Sequence, residues 1–231
     1  MRAFCICLFA IGVCVLVAFL MFNCLAQDEK KEEGDRVKLL SVKKEGKMSL
    51  EEAIAKRRSR RDFTGDAISL EDVSQILWAT QGISDEKRGL RTVPSAGATF
   101  PLEVYLVAGN VKDLKAGLYR YDYKKHELVL VKSGDIRKDV CAAALGQQMV
   151  QDAPATVVIA AVYERTSKRY GNRAERYVHM EVGHAGQNIY LQCEALGMGT
   201  CAVGAFQDAK LKNVLGINEE PLYLMPVGKT K

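Results

Sequence analysis

Four arginines and a serine stand together in residues 57–63, which read RRSRRDF. A guanidinium binds phosphate oxygens through two parallel hydrogen bonds, and a serine hydroxyl can donate a further one. These residue types therefore suit a phosphate group. A basic run is more often a solvated surface, so the segment alone leaves both interpretations open.

A second candidate is the small-residue segment 91–101, which reads RTVPSAGATFP and leads directly into an apolar run. Small residues allow a backbone to approach a flat ligand closely. An ordinary turn between two prolines is the alternative interpretation.

Polar side chains recur at Glu181, His184 and Asn188, a spacing that places them on one side of a helix. They could make hydrogen bonds behind a site or across a dimer interface. We expect no metal site, because the three histidines are scattered and no CxxC pair is present.

The elements that position these residues follow from patterning. With 48% hydrophobic and 26% charged residues, the chain can bury one main core. Ser49 and Glu52 have the spacing of a capping box, which predicts a helix that runs into the arginine cluster. Ser69 begins a second predicted helix, which ends at Gly82 in a left-handed cap.

Runs rich in β-branched and aromatic residues predict strands at 102–108, 127–132, 155–163 and 222–227. The run at 155–163 has no polar alternation, so helices must cover both faces of the sheet. A long amphipathic helix is predicted to end at Gly197. The expected fold is a three-layer α+β domain.

The N-terminal segment 3–22 has no charge and is long enough to cross a bilayer. We predict that residues 1–26 are a cleaved signal peptide or a transmembrane anchor, with Cys24 as a less favoured lipoprotein site. The protein is then exported or membrane-anchored in the cell envelope, and an anchored domain that faces the cytoplasm is the open alternative. Residues 27–48 are predicted to form a charged linker, and residues 49–231 the domain. The net charge of +5 is concentrated toward the N-terminal third, so no nucleic-acid partner is expected.

Eight motifs, taken in order, resemble the nitroreductase family of FMN flavoproteins, and most closely its SagB-type dehydrogenase branch, which oxidises azolines in peptides. The resemblance covers residues 49–228. The motifs are RRSRRDF at Arg57, ILWATQG at Ile76, PSAGATFPLEVYLV at Pro94, GLYRYD at Gly117, RYGNRAERY at Arg169, MEVGHAGQN at Met180, LGMGTCAVGAF at Leu196 and the closing LYLMPVG.

The resemblance implies the three-layer nitroreductase fold with a mixed, mostly antiparallel central sheet, and a homodimer with two FMN sites that both chains line. It places the phosphate and ribityl chain of FMN on one segment and the flavin ring on a loop of the second chain. Gly204 and Ala205 would lie near the reactive N5, and Lys229 would be a second phosphate-binding cation. The implied phosphate-binding residues are Arg57, Arg58, Ser59 and Arg61, and the implied ring-contacting residues are Pro94, Ser95, Ala96 and Gly97.

For catalysis the resemblance offers Arg169 and Tyr170, at the positions of a Lys-Tyr pair in the azoline dehydrogenases. An arginine stays protonated and cannot be a general base, which favours reduction of a nitro or quinone acceptor over azoline oxidation. We therefore expect an FMN-dependent oxidoreductase that moves hydride from a small-molecule electron donor to an acceptor. The alternative is a flavin-binding carrier or sensor without turnover.

Overall fold

The computed structural model of the protein describes residues 35–231. This part of the chain contains nine β-strands, seven α-helices and two short 3₁₀ turns at Ala96–Ala98 and Gly171–Arg173. The strands are β1 (Arg36–Lys38), β2 (Ile83–Asp85), β3 (Leu90–Arg91), β4 (Leu102–Ala108), β5 (Gly117–Asp122), β6 (Glu127–Ser133), β7 (Ala155–Ala161), β8 (Gly199–Thr200) and β9 (Glu220–Gly228). The helices are α1 (Leu50–Lys56), α2 (Leu70–Gln81), α3 (Arg137–Ala143), α4 (Met149–Asp152), α5 (Tyr163–Tyr170), α6 (Ala174–Ala195) and α7 (Asp208–Leu215).

The central sheet has seven strands in the order β1-β6-β5-β4-β7-β9-β8, and β2 and β3 form a separate hairpin. The ladders that join β6, β5, β4, β7, β9 and β8 are antiparallel. Two isolated bridges, Ser59 to Thr200 and Ile68 to Val111, are parallel. The predicted mixed and mostly antiparallel sheet is therefore confirmed.

Side chains of the central strands alternate between two buried clusters. Leu106 and Val157 belong to the cluster that α2 and α6 cover. Val107 and Val158 belong to the cluster on the opposite face, which α3 and α7 cover. Because consecutive strand residues point to opposite faces, an uninterrupted apolar strand requires a helical layer on each side. The three-layer α+β prediction is confirmed.

The predicted helix starts are confirmed by their caps. Ser49 Oγ accepts a hydrogen bond from the backbone N–H of Glu52 at 3.0 Å, and Ser69 forms a reciprocal capping box with Asp72. Gly197 has the left-handed φ of 69° that was predicted beyond the end of α6. The left-handed conformation predicted for Gly82 is wrong, since its φ is −69°. A Cβ at Gly82 would lie 2.3 Å from the ring of Trp78, so close packing requires the glycine.

Helices α3, α4, α5 and α7 and strands β2, β3 and β8 were not predicted from the sequence, and further local features differ from the prediction. Strand β7 ends at Ala161, and the chain turns into α5 at Tyr163 rather than continuing to that residue as a strand. Strand β5 was not predicted, because its sequence mixes charged and aromatic residues. Within the predicted charged linker, Arg36–Lys38 form a strand and Leu39 is buried in the core.

The structure describes neither the predicted signal peptide or anchor at residues 1–26 nor the start of the linker. Within residues 35–231, no helix is long and apolar enough to cross a membrane. The domain boundaries at residues 26 and 48 stay predictions.

Truncation of a side chain between the layers tests the packing. Leu106 is fully buried in β4, so Leu106→Ala should lower the free energy of unfolding by about 2–5 kcal/mol through lost burial and the cavity left behind. Leu90→Ala, at a position that is 40% exposed, is the control and should change it by less than about 1 kcal/mol. Urea denaturation measures both, and equal losses would contradict the assignment of Leu106 to the core.

Candidate active site

The arginine segment leaves the end of α1 and crosses the edge of the central sheet. The backbone N–H of Arg60 donates to the carbonyl of Thr200 at 2.9 Å. Phe63 forms a bridge with Thr230 and buries its ring. These contacts fix the backbone of the segment against β8 and the end of β9. The positions from which its side chains project are therefore fixed as well.

Arg60, one arginine of the cluster, binds the segment to α6. Arg60 forms an ion pair of 3.2 Å with Glu194 of α6, whose carboxylate is buried. The backbone N–H of Arg58 donates to the same carboxylate at 3.3 Å. A buried carboxylate needs such partners, because desolvation penalises an unpaired charge. The guanidiniums of Arg57, Arg58 and Arg61 have no carboxylate partner among residues 35–231. Nη1 of Arg58 donates to the carbonyls of Ala55 at 3.0 Å and Arg57 at 2.8 Å, so its charge is held near the chain by neutral partners and is not neutralised.

Tyr190 of α6 connects the arginine segment with the loop after β8. Its hydroxyl forms a hydrogen bond of 2.8 Å with Ser59 Oγ and accepts the backbone N–H of Ala202 at 2.8 Å. The guanidinium of Arg57 lies over its ring, 5.1 Å from the centroid. Tyr190 was missed in the sequence, since nothing in its spacing distinguishes it from the other residues of a long amphipathic helix.

The loop after β8 contains Gly204 and Ala205, both of which are exposed. A Cβ at Gly204 would touch the ring of Tyr223 at 3.5 Å, and the carbonyl of Ala205 accepts a hydrogen bond from Gln147 at 2.8 Å. Lys229 follows the last strand, and its carbonyl accepts the N–H of Thr64 at 3.0 Å. The structure thus brings Gly204, Ala205, Lys229 and the arginine segment to one edge of the sheet.

The loop at residues 94–101 is held in a strained conformation. Gly97, Ala98 and Phe100 all have positive φ, at 57°, 55° and 44°. Left-handed backbone at a residue with a Cβ costs on the order of 1–3 kcal/mol and persists only where other contacts hold it. Ser95 Oγ accepts the N–H of Phe100 at 2.9 Å, and Thr99 donates to the carbonyl of Ala96 at 3.0 Å. Pro94 is exposed at the start of the loop.

Helix α5 lies against this loop through the two predicted catalytic residues. Arg169 donates to the carbonyl of Gly97 at 3.2 Å. A Cβ at Gly97 would lie 2.5 Å from the hydroxyl of Tyr170 and 2.9 Å from Nε of Arg169. The ring of Tyr170 packs edge-on against Tyr177, with the centroids 4.9 Å apart. Gly97 of the loop and Arg169 are 72 residues apart in sequence, yet the loop and the Arg-Tyr pair form one surface.

A buried carboxyl lies beneath the loop. Glu181 is 2% exposed, and its Oε1 has no hydrogen-bond partner among the described residues. Burial raises the pKa of Glu181 above its ordinary value of 4.5, and the side chains of Ser95 and Gln81 and the charge of Arg91 oppose that rise. Burial therefore makes ionisation of this carboxyl less favourable than that of an exposed one.

Glu181, His184 and Asn188, which the spacing places on one side of α6, have different surroundings. Glu181 is buried, His184 is exposed, and Asn188 donates to the carbonyl of Ala79 in α2 at 2.9 Å.

The two parts of the candidate site lie at different positions along α6. Glu181 lies beneath the loop, and Tyr190 supports the arginine segment. They are nine residues apart, which corresponds to about 14 Å along a helix. One chain therefore presents a cationic segment and a strained loop as two separate surfaces.

A further cavity of about 660 Å³ lies between residues 41–44, the β2–β3 hairpin and the turn after β5. Trp78, Tyr121 and His126 line it, and none of the predicted site residues does. Among residues 35–231, no cluster of histidine, cysteine and carboxylate side chains could hold a metal ion.

The sequence and the fold are both matched among known proteins. The sequence profile of the nitroreductase family matches residues 54–229. A protein of Methanocaldococcus jannaschii that carries the name of a nitroreductase is 46% identical over 182 residues, which cover 79% of this chain and 91% of that protein. The chain belongs to the nitroreductase family, a family of oxidoreductases.

Solved structures share the fold. The crystal structure of an Anabaena variabilis protein, also named as a nitroreductase, is 27% identical with a TM-score of 0.76, and the match covers 86% of this chain but 42% of that longer one. The Escherichia coli microcin synthetase complex McbBCD, with truncated pro-MccB17 bound, has a TM-score of 0.66 at 20% identity, covering 90% of this chain and 82% of that chain. At this identity the likeness to the microcin synthetase chain shows a shared fold.

Gly97→Ala tests the contact between the loop and α5. The substitution should cost about 1–3 kcal/mol of stability and displace the side chains of Arg169 and Tyr170, because the new Cβ would overlap both. Gly89→Ala is a matched control, since Gly89 has a φ of 63° but open space around its Cα. Urea denaturation measures the difference between the two variants. A cost no larger at Gly97 than at Gly89 would mean that the loop and α5 are not in contact.

Glu181→Gln tests the environment of the buried carboxyl. The raised pKa means that folding disfavours ionisation, so the wild type should lose stability relative to the variant as pH rises from about 4.5 through the raised pKa. Below that window both side chains are neutral and the stabilities should converge. Chemical denaturation at a series of pH values measures this, with the exposed Glu175→Gln on the same helix as control. A difference independent of pH would show that Glu181 is not desolvated.

Proposed function

We propose that the protein is an FMN-dependent oxidoreductase that transfers hydride from a reduced donor to a small organic acceptor of the nitro or quinone type. The observation that carries this proposal is the set of guanidiniums without a carboxylate partner among residues 35–231, at the same sheet edge as the exposed Gly204. The second element is the strained loop at residues 94–97, which would come from another copy of the chain. The proposal therefore includes a homodimer with two shared sites.

The residues present fit the chemistry of FMN. A phosphate near its full ionisation needs two or more cations, and Arg57, Arg58 and Arg61 have charges that no carboxylate of the described chain neutralises. The exposed Lys229 lies at the same edge and adds a fourth charge. Ser59 has a hydroxyl that Tyr190 orients. A flat ring needs a surface without bulky side chains, which Gly97 and Gly204 provide.

Bound FMN would supply the redox chemistry, accepting a hydride from the donor and passing it to the acceptor. The residues of the chain would bind the cofactor, orient the donor and the acceptor, and exclude water from the site. The exposed backbone of Gly204 and Ala205 allows close approach to the ring, and a fixed N–H in such a place stabilises developing negative charge.

The pair Arg169–Tyr170 determines which of the family reactions we favour. Arg169 is a permanent cation that holds the loop, so it cannot remove a proton from a substrate. Tyr170 has a hydroxyl at the loop surface that could donate a proton to a reduced acceptor. Reduction of an acceptor therefore suits this surface better than SagB-type azoline dehydrogenation.

The second candidate is a flavin-binding carrier or sensor without turnover, in the cell envelope. It is motivated by the uncharged segment at residues 3–22, because an exported domain would meet little NADH or NADPH. Anaerobic mixing with NADH, NADPH or a reduced quinone separates the candidates. Loss of the flavin absorbance followed by its return with an acceptor supports the enzyme, and no reduction by any donor supports the carrier.

The cofactor proposal predicts a yellow protein that releases FMN on denaturation. Arg57→Ala combined with Arg61→Ala should weaken FMN binding at least about a hundredfold, because two charge-assisted phosphate contacts are lost. Fluorescence titration of the apoprotein with FMN measures the dissociation constant. Lys87→Ala combined with Arg88→Ala removes the same charge from the β2–β3 hairpin and should leave FMN binding unchanged. A wild-type protein that cannot be loaded with FMN would disprove the proposal, and unchanged binding in the first variant would disprove the phosphate assignment.

A further inference from the structure

Four exposed cations lie on α5, in the 3₁₀ turn that follows it and at the start of α6, and we call Lys168, Arg169, Arg173 and Arg176 the cationic patch. None of the four forms an ion pair within residues 35–231. Their neighbour Arg165 differs, since its charge is neutralised by Glu103 at 2.6 Å. The exposed carboxylates on the same elements are Glu164 and Glu175, so positive charge prevails by two.

Two aromatic rings lie among these cations. Arg169 stacks over the ring of Tyr170 at 5.6 Å, and Arg173 over the ring of Tyr177 at 5.8 Å. Nε of Arg173 also donates to the hydroxyl of Tyr177 at 3.1 Å. The two tyrosines pack edge-on, so cations flank a continuous and partly exposed aromatic surface.

This surface adjoins the loop that we propose to contact the flavin ring. Arg169 and Tyr170 touch Gly97 directly, and Thr166 of α5 forms a hydrogen bond of 2.9 Å with Thr99. A molecule stacked on the ring would therefore lie within the field of the cationic patch. At ordinary salt concentration, an exposed charge acts over a distance of about 10 Å.

We infer that the acceptor of this site is a planar aromatic anion, such as a carboxylated nitroaromatic or quinone, rather than a neutral ring. The inference rests on the proposed function and specifies its substrate class. The tyrosine pair supplies a stacking surface, and the cationic patch supplies uncompensated positive charge at its border. A neutral acceptor would gain binding free energy only from contact with the two rings.

Redox-inert probes test the inference on the full-length, FMN-bound protein. Isothermal titration should give a dissociation constant for benzoate about tenfold lower than for benzamide, which has the same ring without the charge, in 50 mM salt. The ratio should fall toward one in 500 mM salt, as expected for exposed charges. The ratio of kcat/KM for 4-nitrobenzoate and 4-nitrobenzamide should follow the same trend.

Charge-reversal variants test whether the cationic patch causes the preference for benzoate. Lys168→Glu combined with Arg173→Glu should abolish or invert the preference for benzoate. Lys138→Glu combined with Lys210→Glu makes the same charge change on α3 and α7, in the opposite helical layer, and should keep most of it. Equal loss in both variants would show an effect of net charge alone and would overturn the assignment to the patch.

Three further outcomes would overturn the inference. Equal affinity for benzoate and benzamide in a protein that holds FMN would refute it while the proposed function stands. Tighter binding of NADP⁺ than of NAD⁺, without a preference for benzoate, would assign the cations to the phosphates of the donor. A protein that cannot hold FMN would refute the proposed function, and this inference with it.

Discussion

The packing of α6 against the central sheet is the interaction on which the candidate site depends. Its apolar face, with Val178, Val182 and Ile189 fully or almost fully buried, closes one side of the core. Burial of such side chains contributes about 1.5–3 kcal/mol each, which fixes the helix in rotation and in register. Because α6 is fixed, Glu181 meets the strained loop and Glu194 meets the arginine segment. One hydrophobic contact surface thus sets the position of both halves of the site.

Some arginines of the described chain form ion pairs that hold segments together, and others lie at the surface without a carboxylate partner. Arg60 neutralises Glu194, and Arg165 neutralises Glu103, so each of these arginines holds a segment in place. Neighbouring arginines in the same stretches of sequence are left without carboxylate partners in the described chain. A fold can keep such cations at its surface because water solvates them, and a bound anion can then use them without breaking an existing ion pair. These cations without ion pairs are the ones that we propose to bind the FMN phosphate and the acceptor.

Much of the fold could be predicted because its signals are local. The caps at Ser49 and Ser69 lie within four residues of the groups they satisfy, and the apolar run of β7 required two covering layers. The strand β5 was missed because its alternation is weak and its pairing partners lie elsewhere in the chain. The strand at Arg36–Lys38 was missed for a similar reason, since a charged segment can still pair through its backbone at the edge of a sheet. The glycine at Gly82 was predicted correctly as a helix end, but for the wrong physical reason.

The sequence by itself determined the chemical inventory: a run of guanidiniums, a small-residue loop, and an Arg-Tyr pair in the order typical of the family. These are properties of residue type and short spacing, which folding does not alter. Only the tertiary structure decided that Arg60 is committed to Glu194, that Tyr190 orients Ser59, and that the loop meets α5. Such contacts join residues 72 to 134 positions apart, and burial and packing over the described chain, rather than local preference, bring them together.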